Sequence, residues 1–478
     1  MNKELKPYDE YKETDLSWLD KVPKHWEIKP NRVLWNERET INCISEQLLS
    51  VTIKKGIISQ AELLQSSSKK DSSNVDKSKY KLVAPNDIVY NKMRMWQGAV
   101  GVSNDRGIVS PAYIVLKPRG DINHRYYHFL LRTPGYIEES HRNSYGICDD
   151  QLSLRYEDFK GMQNIIPPKD EQDQIVRYLD SKLSKANKFI NTKTKQIDLL
   201  KELKQAIINK AVTKGLNPTA KMKPSGIEWL GGIPEGWEVR RLKNLAKVNP
   251  SLNNHLDKYD LNEEVVFLPM ERISENGEID QRAFKPIAEA KKGFTGFVKN
   301  DVVVAKITPC FENGKGACLD GLKSHIGYGT TELIVLRPND NILSKFLYLI
   351  ARTSFFRNLG TKMMTGSAGQ KRVPAEFVSN FALGIPNIKE QLQIVSYIKT
   401  KTLSIDNAIE AIKKEINLIS EYRTSLISDV VTGKVDVRHI EVEETFEEVE
   451  QDFNDLEEDI EEYAGEEPVE KEGEVCVN

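Results

Sequence analysis

The sequence has no segment suited to crossing a membrane and no signal for secretion. It contains no run of about 18 apolar residues, the length that a membrane-spanning helix needs. The N-terminus also lacks the basic start, the apolar stretch and the small-residue cleavage site of a secretory signal. We therefore expect a cytoplasmic protein.

Cysteine and histidine are scarce, and neither residue type is grouped as a metal site requires. The cysteines form no C-x-x-C pair and have no histidine at metal-ligand spacing. They are Cys43, Cys148, Cys310, Cys318 and Cys476. Among the histidines only His124 and His128 lie one helical turn apart, and no third ligand is near them in sequence. We interpret all of these residues as structural and expect no metal ion in this chain.

Motifs for nucleotide chemistry are also missing. There is no G-x-x-x-x-G-K-[ST] loop, since the nearest approach, residues 316–323, has Leu322 where the lysine should follow the glycine. There is no G-x-G-x-x-G after a strand and no Asn/Asp-Pro-Pro-aromatic box of the amino-methyltransferases. We therefore expect this chain to bind neither a nucleotide nor S-adenosylmethionine on its own.

One nuclease-like string is present. Asp280 is followed by Glu289 and Lys291, and two carboxylates with a lysine could hold Mg²⁺ and activate water. Such strings arise readily in a chain with 29% charged residues, and the first half has no counterpart. A magnesium-dependent nuclease is therefore kept only as an alternative.

Charge is distributed unevenly along the chain. The formal net charge is -3, but residues 441–478 hold 18 Asp and Glu against the single Lys471, which leaves residues 1–440 at +14. A basic body favours a polyanionic partner, although a merely soluble basic surface is the alternative.

Two segments of the chain repeat each other at a constant offset of 219 residues. Residues 166–213 align with residues 385–432 without a gap, and 17 of the 48 aligned pairs are identical. Upstream, W-L-x-x-h-P-x-x-W (h, apolar) occurs at residues 18–26 and again at residues 229–237. The chain therefore consists of two copies of a globular part followed by a long segment, joined by a linker at residues 214–225.

The globular parts carry a mixed pattern. Short runs rich in Val, Ile and Tyr, bounded by Gly, Pro, Asn and Asp, predict strands, and residues 126–132 and 345–352 predict short helices. We expect an α+β domain of about 160 residues in each half.

Each long segment has the apolar spacing of a coiled coil. An acidic first turn and a glycine after the last turn favour a helix, and apolar residues recur at alternating intervals of three and four. The residues we assign to the two seams are Leu183, Ile190, Ile197, Leu200, Ile207, Ile405, Ile409, Ile412, Ile416, Ile419 and Leu426. A basic residue interrupts both seams at the same place, as Lys204 and Arg423. We expect the two helices to pair, and the alternative is that each packs on its own globular part.

Loops rich in hydrogen-bond donors follow equivalent strands in the two halves. Cationic groups suit phosphate or guanine, amides suit adenine, and glycine permits close backbone approach. The candidate DNA-binding residues are Lys92, Arg94, Trp96, Gln97, Lys306, Thr308, Asn313, Lys315, Gly366, Gln370, Lys371 and Arg372. The alternative for each is a solvated charge or a turn-forming glycine. Because the loops are placed equivalently but carry different donors, they suit the reading of two different half-sites.

With these motifs, residues 10–435 resemble the specificity subunits of type I restriction-modification enzymes. The resemblance rests on W-L-x-x-I-P-x-x-W at residues 229–237, on I-P-P-x-x-E-Q-x-x-I-V at residues 166–176, and on variants of both in the other half. G-S-A-G-Q-K-R-V, from Gly366 to Val373, is similar to the loop that these proteins carry before their helix. The first half departs from that loop pattern.

The resemblance implies a recognition protein without chemistry of its own. It implies two duplicated α/β target-recognition domains, one for each half of a split DNA site, joined by two long repeated helices that form a coiled coil and fix the half-site spacing. It also implies two modification subunits that bring S-adenosylmethionine and methylate adenine, and restriction subunits that add ATP, Mg²⁺ and cleavage. A non-catalytic DNA-binding adaptor with duplicated heads is the other alternative.

The expected domain order follows the repeat. We assign residues 1–165 and 226–384 to the two recognition domains, residues 166–213 to a central helix and residues 385–432 to a C-terminal helix. Residues 433–478 form an acidic tail, expected to be a disordered extension, and the sharper hypothesis is a DNA mimic that competes for the basic grooves.

Overall fold

The computed structural model describes residues 5–53, 56–65, 76–147, 151–367 and 369–442. The chain divides into two compact units. Unit 1 comprises residues 1–192 and 415–478, and unit 2 comprises residues 193–414. The boundary between the units therefore falls inside both long helices. Within the described ranges, no helix combines the length and apolarity needed to span a membrane.

Unit 1 contains twelve short strands among its described residues. They are β1 Tyr11–Leu16, β2 Leu19–Pro23, β3 Glu27–Pro30, β4 Trp35–Glu37, β5 Leu49–Thr52, β6 Gly56–Ser59, β7 Lys81–Val83, β8 Ile88–Asn91, β9 Val100–Val102, β10 Gly107–Val109, β11 Tyr113–Pro118 and β12 Gln163–Ile166. The central sheet is antiparallel in the order β4-β11-β8-β9. The other strands pair two by two, as β1-β2, β3-β12, β5-β6 and β7-β10.

Unit 1 contains four short helices and part of a long one among its described residues, in addition to residues 415–431 of the C-terminal helix. They are α1 Gln60–Gln65, α2 His124–Leu130, α3 Pro134–Arg142, α4 Tyr156–Phe159 and the first part of α5 Lys169–Lys214. Side chains of Asn123 and Thr133 accept hydrogen bonds from the first-turn backbone amides of α2 and α3, which is why these helices begin there. Buried aromatic residues from α2, α4 and the sheet fill the core, including Trp35, Tyr127 and Phe159.

Unit 2 repeats this frame. Its strands are β13 Met222–Pro224, β14 Gly232–Pro234, β15 Glu238–Arg241, β16 Ala246–Val248, β17 Glu264–Leu268, β18 Phe284–Pro286, β19 Thr295–Val298, β20 Val302–Ala305, β21 Gly316–Cys318, β22 Ile326–Gly329, β23 Leu333–Pro338 and β24 Ala382–Ile385. Its helices are α6 Asn253–Leu256, α7 Ile287–Ala290, α8 Ser344–Arg352, α9 Ser354–Lys362, α10 Ala375–Asn380 and the first part of α11 Ile388–Val431. The antiparallel sheet β16-β23-β20-β21 has the order of the central sheet of unit 1, and β15 pairs with β24 as β3 pairs with β12.

The two units differ in the strands added to this common frame. Unit 2 adds a four-stranded sheet, β18-β17-β22-β19, in which β17 and β22 run parallel. In the corresponding stretch of its sequence, the described residues of unit 1 form the separate pairs β5-β6 and β7-β10. The expected fold class is confirmed, since both units are α+β on one frame and each contains segments of both long helices.

A buried ion pair ties two strands of the frame together in each unit. In unit 2 the guanidinium of Arg337 donates from Nε and Nη2 to the two carboxylate oxygens of Asp301, both at 2.9 Å. In unit 1 Arg38, which directly follows β4, makes bidentate contacts of the same kind to Asp87, at 2.7 and 3.0 Å. Both aspartates are 1% exposed, so each carboxylate depends on its arginine for neutralisation.

The long helices pack together inside each unit. In unit 1, Leu183 of α5 shares a core with Leu426 and Val430 of α11. In unit 2, Ile208 of α5 shares a core with Ile398 of α11. Six further seam residues are buried, at 2–8% exposure: Ile190, Ile197, Ile405, Ile409, Ile412 and Ile416. Leu200, Ile207 and Ile419 are only half-buried. Near the end of α5 it is Ile208, not Ile207, that is fully buried.

The basic interruptions of the two seams have different partners. In unit 2, Lys204 Nζ lies 2.6 and 2.8 Å from the carboxylate oxygens of Asp406. The 219-residue offset places Arg423 and Asn187 at the corresponding positions of unit 1. Arg423 is 7% exposed and burial lowers its pKa. Arg423 Nε and Asn187 Oδ1 are buried without a hydrogen-bond partner among the described residues.

Asn187→Asp is therefore expected to stabilise unit 1, by about 1.5 kcal/mol, because a carboxylate would supply a partner of opposite charge for Arg423. Chemical denaturation of the variant measures the shift. Asp406→Asn is the matched comparison and should destabilise unit 2, since it removes the carboxylate that Lys204 already has. A loss of stability in Asn187→Asp would contradict the expectation.

Residues 433–442 continue beyond α11 as part of unit 1. Val437 is fully buried, and the Gln174 side-chain amide donates to the carbonyl oxygen of Val437 at 3.0 Å. Gly433 has a φ of +75° and lies against Pro23, where an added Cβ would come within 2.5 Å of Pro23 Cδ. A glycine is thus required at this turn. The acidic residues 443–478 lie outside the described residues.

Candidate nucleic-acid interface

The donor-rich loop of unit 1 follows β8 and is held by contacts within the loop. Arg94 Nη1 donates to the side-chain oxygen of Gln97 at 3.2 Å, and Trp96 Nε1 donates to the carbonyl oxygen of Met93 at 2.9 Å. The Trp96 ring also lies 5.6 Å, between centroids, from the ring of His141. Lys92, Arg94, Trp96 and Gln97 are all half-buried. The structure thus brings these four predicted residues together in one ordered loop.

The corresponding loop of unit 2 follows β20. Lys306, Thr308 and Lys315 are half-buried and Asn313 is exposed. The Lys315 backbone amide donates to the carbonyl oxygen of Cys310 at 2.9 Å, and the Asn313 amide donates to that of Pro309 at 3.0 Å. The loop therefore folds back on itself and presents Asn313 at its surface.

A second segment is bonded to each of these loops in the same way. In unit 1 the Leu154 amide donates to the carbonyl oxygen of Lys92 at 2.8 Å, and in unit 2 the Val373 amide donates to that of Lys306, also at 2.8 Å. Just before these residues, Tyr145 bridges Ser153 in unit 1 and Thr365 bridges Arg372 in unit 2. Residues 148–150 and Ala368 lie outside the described residues. The first-half segment, which departs from the second in sequence, is therefore equivalent to it in backbone contacts.

The side chains on the second segments differ sharply between the units. In unit 2, Gln370, Lys371 and Arg372 are exposed donors, and Gly366 and Gly369 have φ of +127° and +80°. In unit 1 two large apolar residues are exposed, Tyr145 at 66% and Ile147 at 96%, and Gln151 is exposed as well. Equivalent backbones thus present two cationic side chains in unit 2, whereas the described residues of the unit 1 segment add apolar surface to a single exposed amide side chain.

Arg372 is held by a carboxylate that the sequence interpretation did not single out. Its Nε and Nη2 donate to the two oxygens of Glu332, both at 2.9 Å. The contact with Arg372, with a further contribution from the charge of Lys306, keeps the pKa of Glu332 below its usual value. The sequence could not indicate this pairing, because the two residues lie forty positions apart on different elements.

The E-Q motif at the start of each long helix has a positioning role within its unit. Gln391 is fully buried, and its side-chain amide donates to the carbonyl oxygens of Pro386 and Asn341, both at 3.0 Å. Its side-chain oxygen accepts from the Leu343 amide at 2.9 Å. Gln172 in unit 1 makes the matching contacts to Pro167 and to the Asn123 amide. The motif therefore fixes the start of α2 or α8 against the long helix.

The alternative chemical sites find no support in the described residues. These residues contain no group of three or more His, Cys, Asp or Glu placed to hold a metal ion. Asp280 is instead engaged by Arg272 and Arg282, at 2.8 and 2.7 Å, and these contacts lower its pKa to about 2. His128 accepts from the Val102 amide at 3.3 Å, and burial lowers its pKa well below the usual value.

Comparison with known proteins identifies the class of domain. Residues 234–420 match the family model of the type I restriction modification DNA specificity domain. Over 180 residues the chain is 41% identical to the EcoAI specificity subunit of Escherichia coli, and this aligned region covers 37% of this chain and 30% of that protein. It is 43% identical over 166 residues to the EcoEI specificity subunit of the same organism, which covers 34% of this chain and 27% of that protein. The matches thus span less than a third of the length of these two relatives.

A more distant relative and a solved structure match most of the chain. The MjaVIII specificity subunit of Methanocaldococcus jannaschii is 24% identical over 375 residues, which cover 76% of this chain and 84% of that protein. A chain from a structure on complex assembly and conformational transition of the type I R-M system superposes with a TM-score of 0.60 at 13% identity, covering 86% of this chain and 99% of that one. That superposition shows the shared fold.

Residues 234–420 are thus similar to type I restriction modification DNA specificity domains. The resemblance of the chain to type I restriction-modification specificity subunits, expected from its motifs, is confirmed.

Proposed function

We propose that this chain is the DNA-reading specificity subunit of a type I restriction-modification complex. Each unit reads one half of a split DNA site, and the chain also provides the surface on which two methyltransferase subunits and the restriction subunits assemble. The proposal places the complex in the cytoplasm with the DNA that it reads.

The observation that carries this proposal is the pair of equivalent loops with different side chains. Both units bond the second segment to the loop after the central strand through the same backbone contact, at 2.8 Å in each. Around that contact, unit 1 presents Arg94, Gln97 and Tyr145, whereas unit 2 presents Asn313 and Arg372. The two units thus share a backbone arrangement but carry different side chains on it. This suits two recognition sites of different sequence, since base edges are distinguished by their donors, acceptors and methyl groups.

The chemistry of the complex belongs to its other subunits in this proposal. S-adenosylmethionine, ATP and Mg²⁺ would be bound by the modification and restriction subunits, and this chain would hold none of them. Its own contribution is binding, with affinity that comes largely from phosphate contacts and falls steeply as salt rises.

Co-expression with a candidate modification subunit, followed by methylome sequencing of the host DNA, tests the function. We expect a new bipartite motif of methylated adenines. Combined substitution of Lys92, Arg94 and Gln97 by alanine should abolish or relax one half of the motif, because these side chains lie in the loop of unit 1, while the other half stays unchanged.

The outcomes separate the possible functions. A stable complex without new methylation would favour a DNA-binding adaptor with duplicated heads, whose binding would show no sequence preference. Failure to form any complex with modification subunits would contradict the assignment. Cleavage of DNA by the purified chain with Mg²⁺ alone would instead support a nuclease.

The acidic tail is proposed to compete with DNA for the basic surface of the body. Removing residues 443–478 should tighten DNA binding, and more so at low salt, because like-charged polymers compete through screened electrostatics. The deletion begins after Val442, since Ile440 and Val442 pack on the core of unit 1. Titration of a labelled duplex measures the effect, and equal affinity of the full and shortened chains would exclude a DNA-mimicking role.

A further inference from the structure

Arg372 and Glu332 form a bidentate ion pair at the surface of unit 2. The two N–H···O contacts are both 2.9 Å long, and the side chains are 44% and 23% exposed. A third donor, Nη1 of Arg372, reaches the carbonyl oxygen of Gln370 at 3.3 Å. The guanidinium is therefore fixed in orientation while half of its side chain remains accessible.

The remaining donors of Arg372 form a second fork. A guanidinium carries five N–H groups in one plane. The Nε–H, one Nη2–H and one Nη1–H are engaged by Glu332 and Gln370 among the described residues. One N–H on each terminal nitrogen is left. Two parallel donors of this kind match the adjacent O6 and N7 acceptors of guanine in the major groove.

We propose that Arg372 reads a guanine in the half-site of unit 2, and that Glu332 is a positioning residue that holds the guanidinium for this contact. The inference rests on the proposed function and deepens it, because it assigns a base to one residue. Glu332 remains ionised and engaged on one edge of the guanidinium. The adjacent edge, which carries Nη1 and Nη2, is therefore presented in a fixed plane, which favours a base edge over a phosphate that can be approached from many directions.

The pair belongs to unit 2 alone, on a backbone that both units share. The Lys306 amide donates to the carbonyl oxygen of Glu332 at 2.9 Å, and the Lys92 amide donates in the same way to that of Ala112 at 3.2 Å. Ser153 takes the place of Arg372 in the bridge with Tyr145. Unit 1 therefore has Ala112 and Ser153 where unit 2 has the ion pair, so its half-site needs no guanine at the matching position.

Methylome sequencing of cells that co-express a candidate modification subunit with wild-type or variant chain tests the inference. Arg372→Ala should make one G·C position of a single half-site degenerate, with a loss of discrimination of about ten-fold or more there. Arg372→Lys should give the same positional loss while keeping the charge, because an ammonium cannot form the fork. Glu332→Ala should relax that same position to a smaller degree without weakening overall DNA binding, since it removes a negative charge.

Controls and contrary results follow from the same data. Arg282→Ala removes another exposed arginine of unit 2 that pairs with an aspartate, and it should leave the motif unchanged. If Arg372→Ala left the motif unchanged, guanine reading would be overturned. The same conclusion would follow if Arg372→Ala lowered methylation equally at all sites while Arg372→Lys kept the wild-type motif. A change at a different position in Glu332→Ala would show that Glu332 reads a base itself and would overturn the positioning role. Absence of any bipartite motif with the wild-type chain would instead reject the proposed function.

Discussion

Arg337→Met is expected to lower the free energy of unfolding of unit 2 by about 3–5 kcal/mol. The substitution keeps the aliphatic length of the side chain but leaves the carboxylate of Asp301, which is 1% exposed, without its cation. The Val298 amide, which donates to the same carboxylate at 2.8 Å, cannot replace a charge. Arg38→Met should cost a similar amount in unit 1, because Asp87 is equally buried and equally dependent on its arginine.

Chemical denaturation, followed by a probe in each unit, measures this loss. Arg282→Met is the matched control. Its guanidinium also pairs with an aspartate, Asp280, but the arginine side chain is 83% exposed. Water solvates both groups when that pair is broken, so the control should lose far less stability than Arg337→Met. Equal effects of the buried and exposed substitutions would show that burial of the carboxylate does not set the cost.

Gln391→Ala is expected to destabilise unit 2 by about 2–3 kcal/mol. The variant removes two donors and one acceptor at once, and the carbonyl oxygen of Pro386 and the amide of Leu343 would lose their partner beside a packed core. The start of α8 should loosen with it, because the Leu343 amide is the backbone group directly before that helix.

Hydrogen exchange of the α8 amides, together with denaturation, measures both effects. Gln393→Ala provides the control, since it removes the same side chain from an exposed position on the same helix, two residues away. We expect Gln393→Ala to change neither stability nor exchange appreciably. Faster exchange at α8 in the control would indicate that the helix surface, and not the buried amide, stabilises this region.

The repeat determined more of the fold than any single motif did. The offset of 219 residues predicted two units on one frame. The equivalent contacts of Gln172 and Gln391 show that the shared E-Q motif supplies a buried glutamine that holds the start of each long helix. The heptad spacing predicted which faces of the long helices are buried, because helical period is a local property of the chain. The spacing assigned Ile207 to the seam, whereas Ile208 is the fully buried residue. The exact face that is buried depends on the partner helix and on the globular part beside it.

The candidate interface was only partly predictable. Donor-rich loops after the central strands were visible in sequence as Lys92, Arg94, Lys306 and Arg372. No sequence pattern indicated that Glu332 would hold Arg372, since β23 and two helices, α8 and α9, lie between these residues along the chain. The sequence placed the segment near Tyr145 as a weak counterpart of the segment near Thr365, and the backbone bridges of the structure show how closely the two correspond although the side chains differ.

The sequence by itself thus determined the duplication, the α+β class, the long helices and the kind of protein to which the chain is similar. These follow from periodicity, composition and short motifs, which act over neighbouring residues. The tertiary structure alone decided which donors are held and which are presented, and that unit 2 carries an arginine–glutamate pair where unit 1 has alanine and serine. The physical reason is that a recognition surface is assembled from residues distant in sequence, whose orientation is set by contacts formed only when the chain folds.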